Sequence, residues 1–173
     1  DNLVASLKGN KFVIFDGKTE VKRVGIIVMT SDRGLCGSFN SNTFRRLESM
    51  KKEFQKEGKD VSVITIGRKA KEYCKNRDIN VDSEYTQMIP ETMFETGKKI
   101  SEDVVQFYLN DFYDEVYMIY SKFVSAVEYN IQVEKLLPIE KKEGLPTKEY
   151  VFEPSEEEVL NSFVPQVLNI KLY

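Results

Sequence analysis

The chain has 173 residues and a mass of 20.1 kDa, which suits a single domain with its own hydrophobic core. Its 25 basic and 28 acidic residues give a net charge of −3, which argues against a nucleic-acid-binding domain, because such domains normally carry a basic excess. The sequence contains no histidine, and this excludes Ser-His and Cys-His catalysis, histidine-ligated metal sites and a histidine pH switch.

The first half of the sequence alternates between strand and helix patterns. Val24–Met29 is an almost continuous apolar run, which is typical of a strand buried on both faces in a parallel sheet. From Phe39 onward, apolar residues recur every three to five positions among charged ones, and this predicts an amphipathic helix that ends near Gly58. The elements predicted next are a strand over 61–66, a helix over 67–76 and a short strand over 79–81.

The second half continues the alternation. Thr92-x-x-Glu95 has the form of a capping box, and it predicts a helix whose buried face carries Ile100, Val104, Val105 and Tyr108. A buried strand is predicted over 116–120, and the period of two over 127–134 predicts a strand with one packed face and one wet face. Ser155-x-x-Glu158 is a second capping box before an apolar helical stripe. Together these elements predict an α/β domain with a mostly parallel sheet flanked by helices, a Rossmann-like layered fold.

The loop after the first strand is the main candidate for chemistry. Gly34 and Gly37 could bring backbone amides to a phosphate at a helix start, but their spacing fits neither the dinucleotide-binding nor the P-loop pattern, and a tight turn explains both glycines equally well. Cys36 precedes a helix start, where a thiol pKa falls, yet no histidine can serve as its base. Asp32 and Arg33 could pair to fix the loop or present their charges to a partner.

Other charged or reactive groups have simpler interpretations. Cys36 and Cys74 are too few for a tetrahedral zinc site. The acidic run 156–158 occupies the first turn of a predicted helix, where acidic residues stabilise the helix dipole. Lysines between 51 and 59 alternate with acidic residues, which is typical of a solvated helix end. We therefore expect no catalytic, cofactor or metal site, and the residues favour a scaffold over an enzyme.

Ser31-Asp32-Arg33-Gly34-Leu35-Cys36-Gly37-Ser38-Phe39-Asn40, after a strand ending in Met29-Thr30, resembles the signature of the rotary ATP synthase gamma subunit. Two further stretches are similar to that family in order and spacing. They are 123–126 followed by 136–139, and Tyr150-Val151-Phe152-Glu153-Pro154-Ser155. The resemblance covers nearly the whole chain.

The resemblance implies a domain organisation. Gamma subunits are longer, with N-terminal and C-terminal helices wound into an antiparallel coiled-coil shaft. We therefore expect one globular domain over 1–173, in which 1–10 is the end of the N-terminal shaft helix, 11–154 the α/β body and 155–173 the start of the C-terminal shaft helix. The chloroplast cysteine insertion is absent from this sequence, which favours a bacterial source.

The function implied by the resemblance is mechanical. Gamma subunits carry the rotation of the membrane c-ring into the alpha/beta hexamer, whose beta subunits hold the catalytic sites. By position, Tyr150, Phe152 and Glu153 match the segment that faces the c-ring and the epsilon subunit. The loop that matches the hexamer-facing segment consists of Asp32, Arg33, Gly34, Leu35 and Cys36.

The implied location is peripheral, on the cytoplasmic face of a bacterial inner membrane in preference to the mitochondrial matrix side. We expect no nucleic-acid partner. Because no run of about 18 apolar residues occurs, we also expect no direct membrane insertion. The alternative hypothesis is a Rossmann-like nucleotide-binding enzyme or regulatory module that uses the Gly34–Gly37 loop, with Asp32 or a glutamate as its base.

Overall fold

A computed structural model of the chain describes residues 13–30, 37–86, 93–125 and 128–139. The strands in these residues are β1 (Arg23–Met29), β2 (Asp60–Ile66), β3 (Val81–Tyr85), β4 (Glu115–Ser125) and β5 (Glu128–Leu137). The helices are α1 (Gly37–Lys56), α2 (Arg68–Asn76) and α3 (Met93–Leu109), and residues 13–16 form a further helical turn. The five strands form one sheet in the order β3-β2-β1-β4-β5.

The strand order determines which face each helix covers. β1 is parallel to both β2 and β4, and β2 is parallel to β3, whereas β5 runs antiparallel to β4. The chain moves outward from β1 to β3 and then returns to β4 on the other side of β1. Because crossovers between parallel strands are right-handed, this reversal places α3 on the opposite face from α1 and α2.

Alternating side chains of the strands supply the two cores. Val24, Ile26 and Val28 of β1 pack in a cluster with residues of α1 and α2, such as Leu47 and Ala70. The cluster on the other face contains the remaining apolar β1 residues and α3. Its β1 and α3 members are Ile27, Met29, Ile100, Val104, Val105 and Tyr108. The uninterrupted apolar run of β1 therefore exists because both of its faces are covered.

Most of the predicted elements are confirmed, as is the α/β fold with a mostly parallel sheet flanked by helices. The predicted short strand over 79–81 is wrong in position, because β3 spans Val81–Tyr85. Ile79 instead ends the turn after α2, where its N–H donates to the Cys74 carbonyl at 3.0 Å. An apolar pattern does not detect β3 because its sequence is largely polar. Asp82 and Glu84 are exposed at the edge of the sheet.

The wet face predicted for β5 is also only partly right. Ile131 and Val133 pack against the α1/α2 cluster as the alternation predicts. Gln132 and Glu134 on the other face are half-buried, and the Tyr120 hydroxyl donates to the Glu134 carboxylate at 2.6 Å. The helical ends expected over 1–10 and 155–173, and the capping residues Thr92 and Ser155, lie outside the described residues.

Candidate functional site

The sequence-predicted site residues lie outside the described part of the chain. This holds for the loop Asp32–Cys36 and for the segment that contains Tyr150, Phe152 and Glu153. The structure does describe Thr30, which lies two residues before the loop. The contacts of Thr30 therefore show how the carboxyl edge of the sheet is held together near the loop.

Thr30 joins β1 to the start of α2. Its N–H donates to the Ile66 carbonyl at 2.9 Å, and its hydroxyl accepts the Ala70 N–H at 3.0 Å, which satisfies one of the free amides in the first turn of α2. Gly67, at the N-cap of α2, has φ +105, and a Cβ built there would lie 2.5 Å from the Thr30 carbonyl oxygen. Only glycine permits this approach, so the carboxyl ends of β1 and β2 are held together where the loop begins.

A second polar cluster lies at the amino edge of the sheet, and we call it the Lys18 cluster: Lys18, Tyr108, Asp111, Tyr113 and Asp114. The Lys18 ammonium donates to the Tyr108 and Tyr113 carbonyls at 2.6 and 2.7 Å and to Asp111 Oδ1 at 2.9 Å. Its Nζ also lies 3.4 Å from Asp114 Oδ1. The Lys18 and Asp114 side chains are each only 11% exposed. This cluster joins the residues before β1 to the turn between α3 and β4.

Asp114 remains ionised in this cluster. Burial alone would raise the pKa of its carboxyl group, but the Lys22 and Arg23 backbone N–H groups, at 2.8 and 3.0 Å from Oδ2, and the Lys18 ammonium outweigh burial and lower the pKa. The Asp114 N–H in turn donates to the Arg23 carbonyl at 2.7 Å. Burial, together with the negative charge of Asp114, raises the pKa of the Tyr108 hydroxyl, so that this group acts as a hydrogen-bond donor.

Sequence reasoning missed the Lys18 cluster because Lys18 and its partners lie 90 or more positions apart. One signal was available. The last turn of α3 contains no basic residue, although a cation near a helix C-terminus stabilises the exposed carbonyls. The missing cation indicates that a basic side chain from another part of the sequence complements the C-terminus of α3.

The amino edge of the sheet also borders an open groove of about 700 Å³. Its lining carries charges of both signs, including Arg23, Lys59, Asp60 and Asp82. Phe112, in the turn after α3, lines the groove and is 60% exposed, and it is the large apolar side chain that the described residues leave most open to solvent.

Three properties of the described residues bear on function. In the ranges 13–30, 37–86, 93–125 and 128–139, no three histidine, cysteine or acidic side chains come close enough to hold a metal ion. The Cys74 thiol is buried against the α1/α2 cluster, and burial, with a contribution from Glu48, raises its pKa to about 11, so the thiol is protonated and unreactive near neutral pH. No helix of the described residues is long and apolar enough to cross a membrane.

Comparison with known proteins decides the family. The family model described as ATP synthase matches residues 1–173. The chain belongs to this ATP synthase family. Its curated relatives include an "ATP synthase gamma chain" of Fusobacterium nucleatum, 40% identical over 99% of this chain and 60% of the relative, and one of Pelotomaculum thermopropionicum, 39% identical over 89% of this chain and 54% of the relative. The resemblance to the gamma subunit is thus confirmed, and the chain spans about three fifths or less of these relatives' length.

Solved structures agree on the fold. The central stalk and c-ring structure of the Tetrahymena thermophila mitochondrial ATP synthase contains a chain that matches with a TM-score of 0.64 at 22% identity, over 97% of this chain and 77% of that one. A chain of the Euglena gracilis mitochondrial ATP synthase matches with a TM-score of 0.60 at 16% identity, over 98% of this chain and 68% of that one. At these identities the likeness shows a shared fold.

Proposed function

We propose that this chain forms the globular body of a central-stalk rotor subunit, which couples rotation of a membrane c-ring to ATP synthesis or hydrolysis in an alpha/beta hexamer. The observation that carries the proposal is the match to the ATP synthase family over all 173 residues, with gamma chains as the curated relatives. In this proposal the chain has no catalytic site of its own, because the beta subunits perform the chemistry.

The described architecture is suited to a mechanical part. A rotor body has to resist deformation while torque passes through it, and close-packed interiors have low compressibility and transmit strain. The sheet is covered on both faces by helices, and its central strand β1 is buried along nearly its whole length. These features support a stiff body.

The proposal assigns partners to two segments. The loop Asp32–Cys36 faces the underside of the hexamer, and Tyr150, Phe152 and Glu153 contact the epsilon subunit and the c-ring. The carboxyl ends of β1 and β2, pinned by Thr30 and Gly67, support the first assignment by giving that loop a fixed point of departure. The chain is then a peripheral protein on the cytoplasmic face of a bacterial inner membrane.

A calorimetric titration with the epsilon subunit from the same source tests this assignment. We expect saturable epsilon binding, no heat with magnesium-ATP, and weaker epsilon binding when Tyr150→Ala and Phe152→Ala are combined. Phe112→Ala is the matched control, because it removes an exposed aromatic ring at the amino edge of the sheet. ATP binding without epsilon binding would overturn the proposal and favour the nucleotide-binding alternative at the Gly34–Gly37 loop, which the comparisons do not favour.

A further inference from the structure

The hydrogen-bonding capacity of the Lys18 ammonium is filled. Its three hydrogens match three acceptors within hydrogen-bond distance, namely the Tyr108 and Tyr113 carbonyls and the Asp111 carboxylate. The ammonium also lies 4.4 Å from the centroid of the Tyr108 ring. A lysine held in this way has lost the freedom of its long side chain, and that loss has to be offset by what the contacts hold together.

The contacts cap α3 from a distant part of the chain. The Tyr108 carbonyl belongs to the last turn of α3, where it accepts the Asp111 N–H at 3.2 Å and also the Lys18 ammonium. Because α3 has no basic residue in that turn, Lys18 supplies the cation that complements its C-terminus. The position of Lys18 relative to α3 is thereby fixed.

Lys18 lies two residues after the helical turn 13–16, and that turn is bonded on two further sides. The Val13 carbonyl accepts a hydrogen bond from the Tyr108 hydroxyl, and the Ile14 carbonyl accepts one from the Ile139 N–H at 2.7 Å. The Ile14 side chain is fully buried in the cluster on the α3 face. The turn therefore cannot rotate about its axis without moving α3 and the segment after β5.

We propose that Lys18 and Tyr108 are positioning residues of a rigid joint, which transmits twist between the helical turn 13–16 and the sheet. This inference rests on the proposed rotor function, since the family resemblance assigns the end of the N-terminal shaft helix to 1–10, which precede this turn in the sequence. The joint fixes the orientation of the turn 13–16 relative to the sheet through directional hydrogen bonds. Apolar packing at the same place lacks this directional preference.

Asp114 makes the joint dependent on Lys18. Its carboxylate is held at the amino end of β1 by the Lys22 and Arg23 N–H groups. Without the ammonium, a poorly exposed carboxylate and two carbonyls lose their charged partner and keep only neutral ones or none, so water has to enter between α3 and the residues before β1 to replace it. We expect the joint to loosen there while both apolar clusters remain packed.

Single-molecule rotation in the assembled enzyme tests the joint. The alpha/beta hexamer is fixed to a surface, and a bead is attached to the gamma body through a click-reactive unnatural amino acid in place of Lys52, on the exposed side of α1, so that Cys36 and Cys74 stay unchanged. The angular variance of the bead during pauses in rotation reports the torsional compliance between shaft and body. The variants are Lys18→Met, which removes the ammonium, and Tyr108→Phe, which removes only the hydroxyl bond to Val13 and keeps the ring.

The matched control is Lys135→Met. Lys135 pairs with Glu115 at 3.0 Å between β5 and β4. The hydrogen bonds of the joint described above do not involve Lys135, so this variant removes a poorly exposed ion pair and leaves those bonds in place. We expect Lys18→Met to widen the angular variance about twofold or more, Tyr108→Phe to widen it less, and Lys135→Met to leave it at the wild-type value.

The outcomes separate this inference from the proposed function. If the wild-type complex hydrolyses ATP without rotating the bead, the proposed rotor function fails. If it rotates, and both Lys18→Met and Tyr108→Phe keep the wild-type variance, the joint is wrong while the rotor function stands. An equal widening by Lys135→Met would also overturn the joint, because the softening would then be general. Should Lys18→Met fail to assemble, Tyr108→Phe decides the question alone.

Discussion

The two faces of the sheet are covered by different kinds of contact. On the α1/α2 face, the helices are held mainly by apolar packing and by the stacked rings of Phe44 and Tyr73, whose centroids are 4.0 Å apart. On the α3 face, hydroxyl groups bind acceptors on other elements, as in the hydrogen bond from Tyr85 to Asp103 at 2.5 Å, and the Lys18 cluster adds a charged cap.

The two kinds of contact contribute differently, because one mainly stabilises the fold and the other fixes how its elements are oriented. Apolar burial contributes most of the stability but has little directional preference, whereas hydrogen bonds and ion pairs fix distances and angles. The face that carries more of the directional contacts between elements is also the one packed against the helical turn 13–16. The α1/α2 face instead presents a basic surface, since residues 41–78 contain eleven basic and six acidic side chains in a chain of net charge −3.

The largest effect is expected at the carboxyl edge of the sheet, from Gly67→Ala. The new Cβ would lie 2.5 Å from the Thr30 carbonyl, which is backbone and cannot swing away, and φ +105 is strained for alanine. We expect a loss of about 3 kcal/mol in the free energy of unfolding, measured by urea denaturation. A loss below about 1 kcal/mol would show that Thr30 and α2 separate easily.

Gly25→Ala makes the equivalent test on the α3 face. A Cβ at Gly25 would lie 2.8 Å from the Tyr113 ring, which packs over β1 while its hydroxyl donates to Asp82. Overpacking there should cost about 2 kcal/mol, and Tyr113→Leu in the same chain should recover part of it. If the two substitutions are additive in denaturation measurements, the ring and the glycine are not in the close contact described.

Asp114→Asn tests the charged part of the Lys18 cluster through pH. Because the folded-state pKa of Asp114 is lowered, its contribution is present above the unfolded-state pKa and is lost as pH falls through the folded-state pKa. We expect the variant to lose about 1–2 kcal/mol at pH 7, and the difference from wild type to shrink progressively below a pH of about 4. Denaturation midpoints that differ equally at pH 7 and pH 3 would contradict the ionised carboxylate.

The smallest effect is expected on the α1/α2 face, from Tyr73→Phe. The variant removes the 3.3 Å hydrogen bond from the Tyr73 hydroxyl to Glu48 and keeps the stack on Phe44. Since apolar contacts hold this face, the loss should be about 0.5 kcal/mol. A loss as large as that of Asp114→Asn would remove the contrast between the two faces.

Local patterns predicted the fold well. β1 and β4 are apolar because helices cover both faces, and α1 and α3 repeat apolar residues at the helical period, so each of these elements carries its own signal. β3 was misplaced because its edge position allows a polar sequence. These cases differ in burial, and burial is what an apolar pattern reports.

The candidate sites were less predictable. The family resemblance predicts partner contacts at Asp32–Cys36 and at Tyr150, Phe152 and Glu153. All of these residues lie outside the described part of the chain. Lys18 and Asp114 carry no local signal, because a single lysine and a single aspartate are ordinary surface residues until the chain brings them within 3.4 Å. Only the topology, with α3 returning to the edge where β1 begins, places them together.

Rotation of the assembled enzyme is the most direct test of the central claim, that this chain is the stiff body of a rotor. With the hexamer fixed and a bead on α1, we predict rotation in one direction that requires ATP and stops when ATP is exhausted. A complex that contains this chain and hydrolyses ATP at the normal rate while the bead only fluctuates about one angle would contradict the claim.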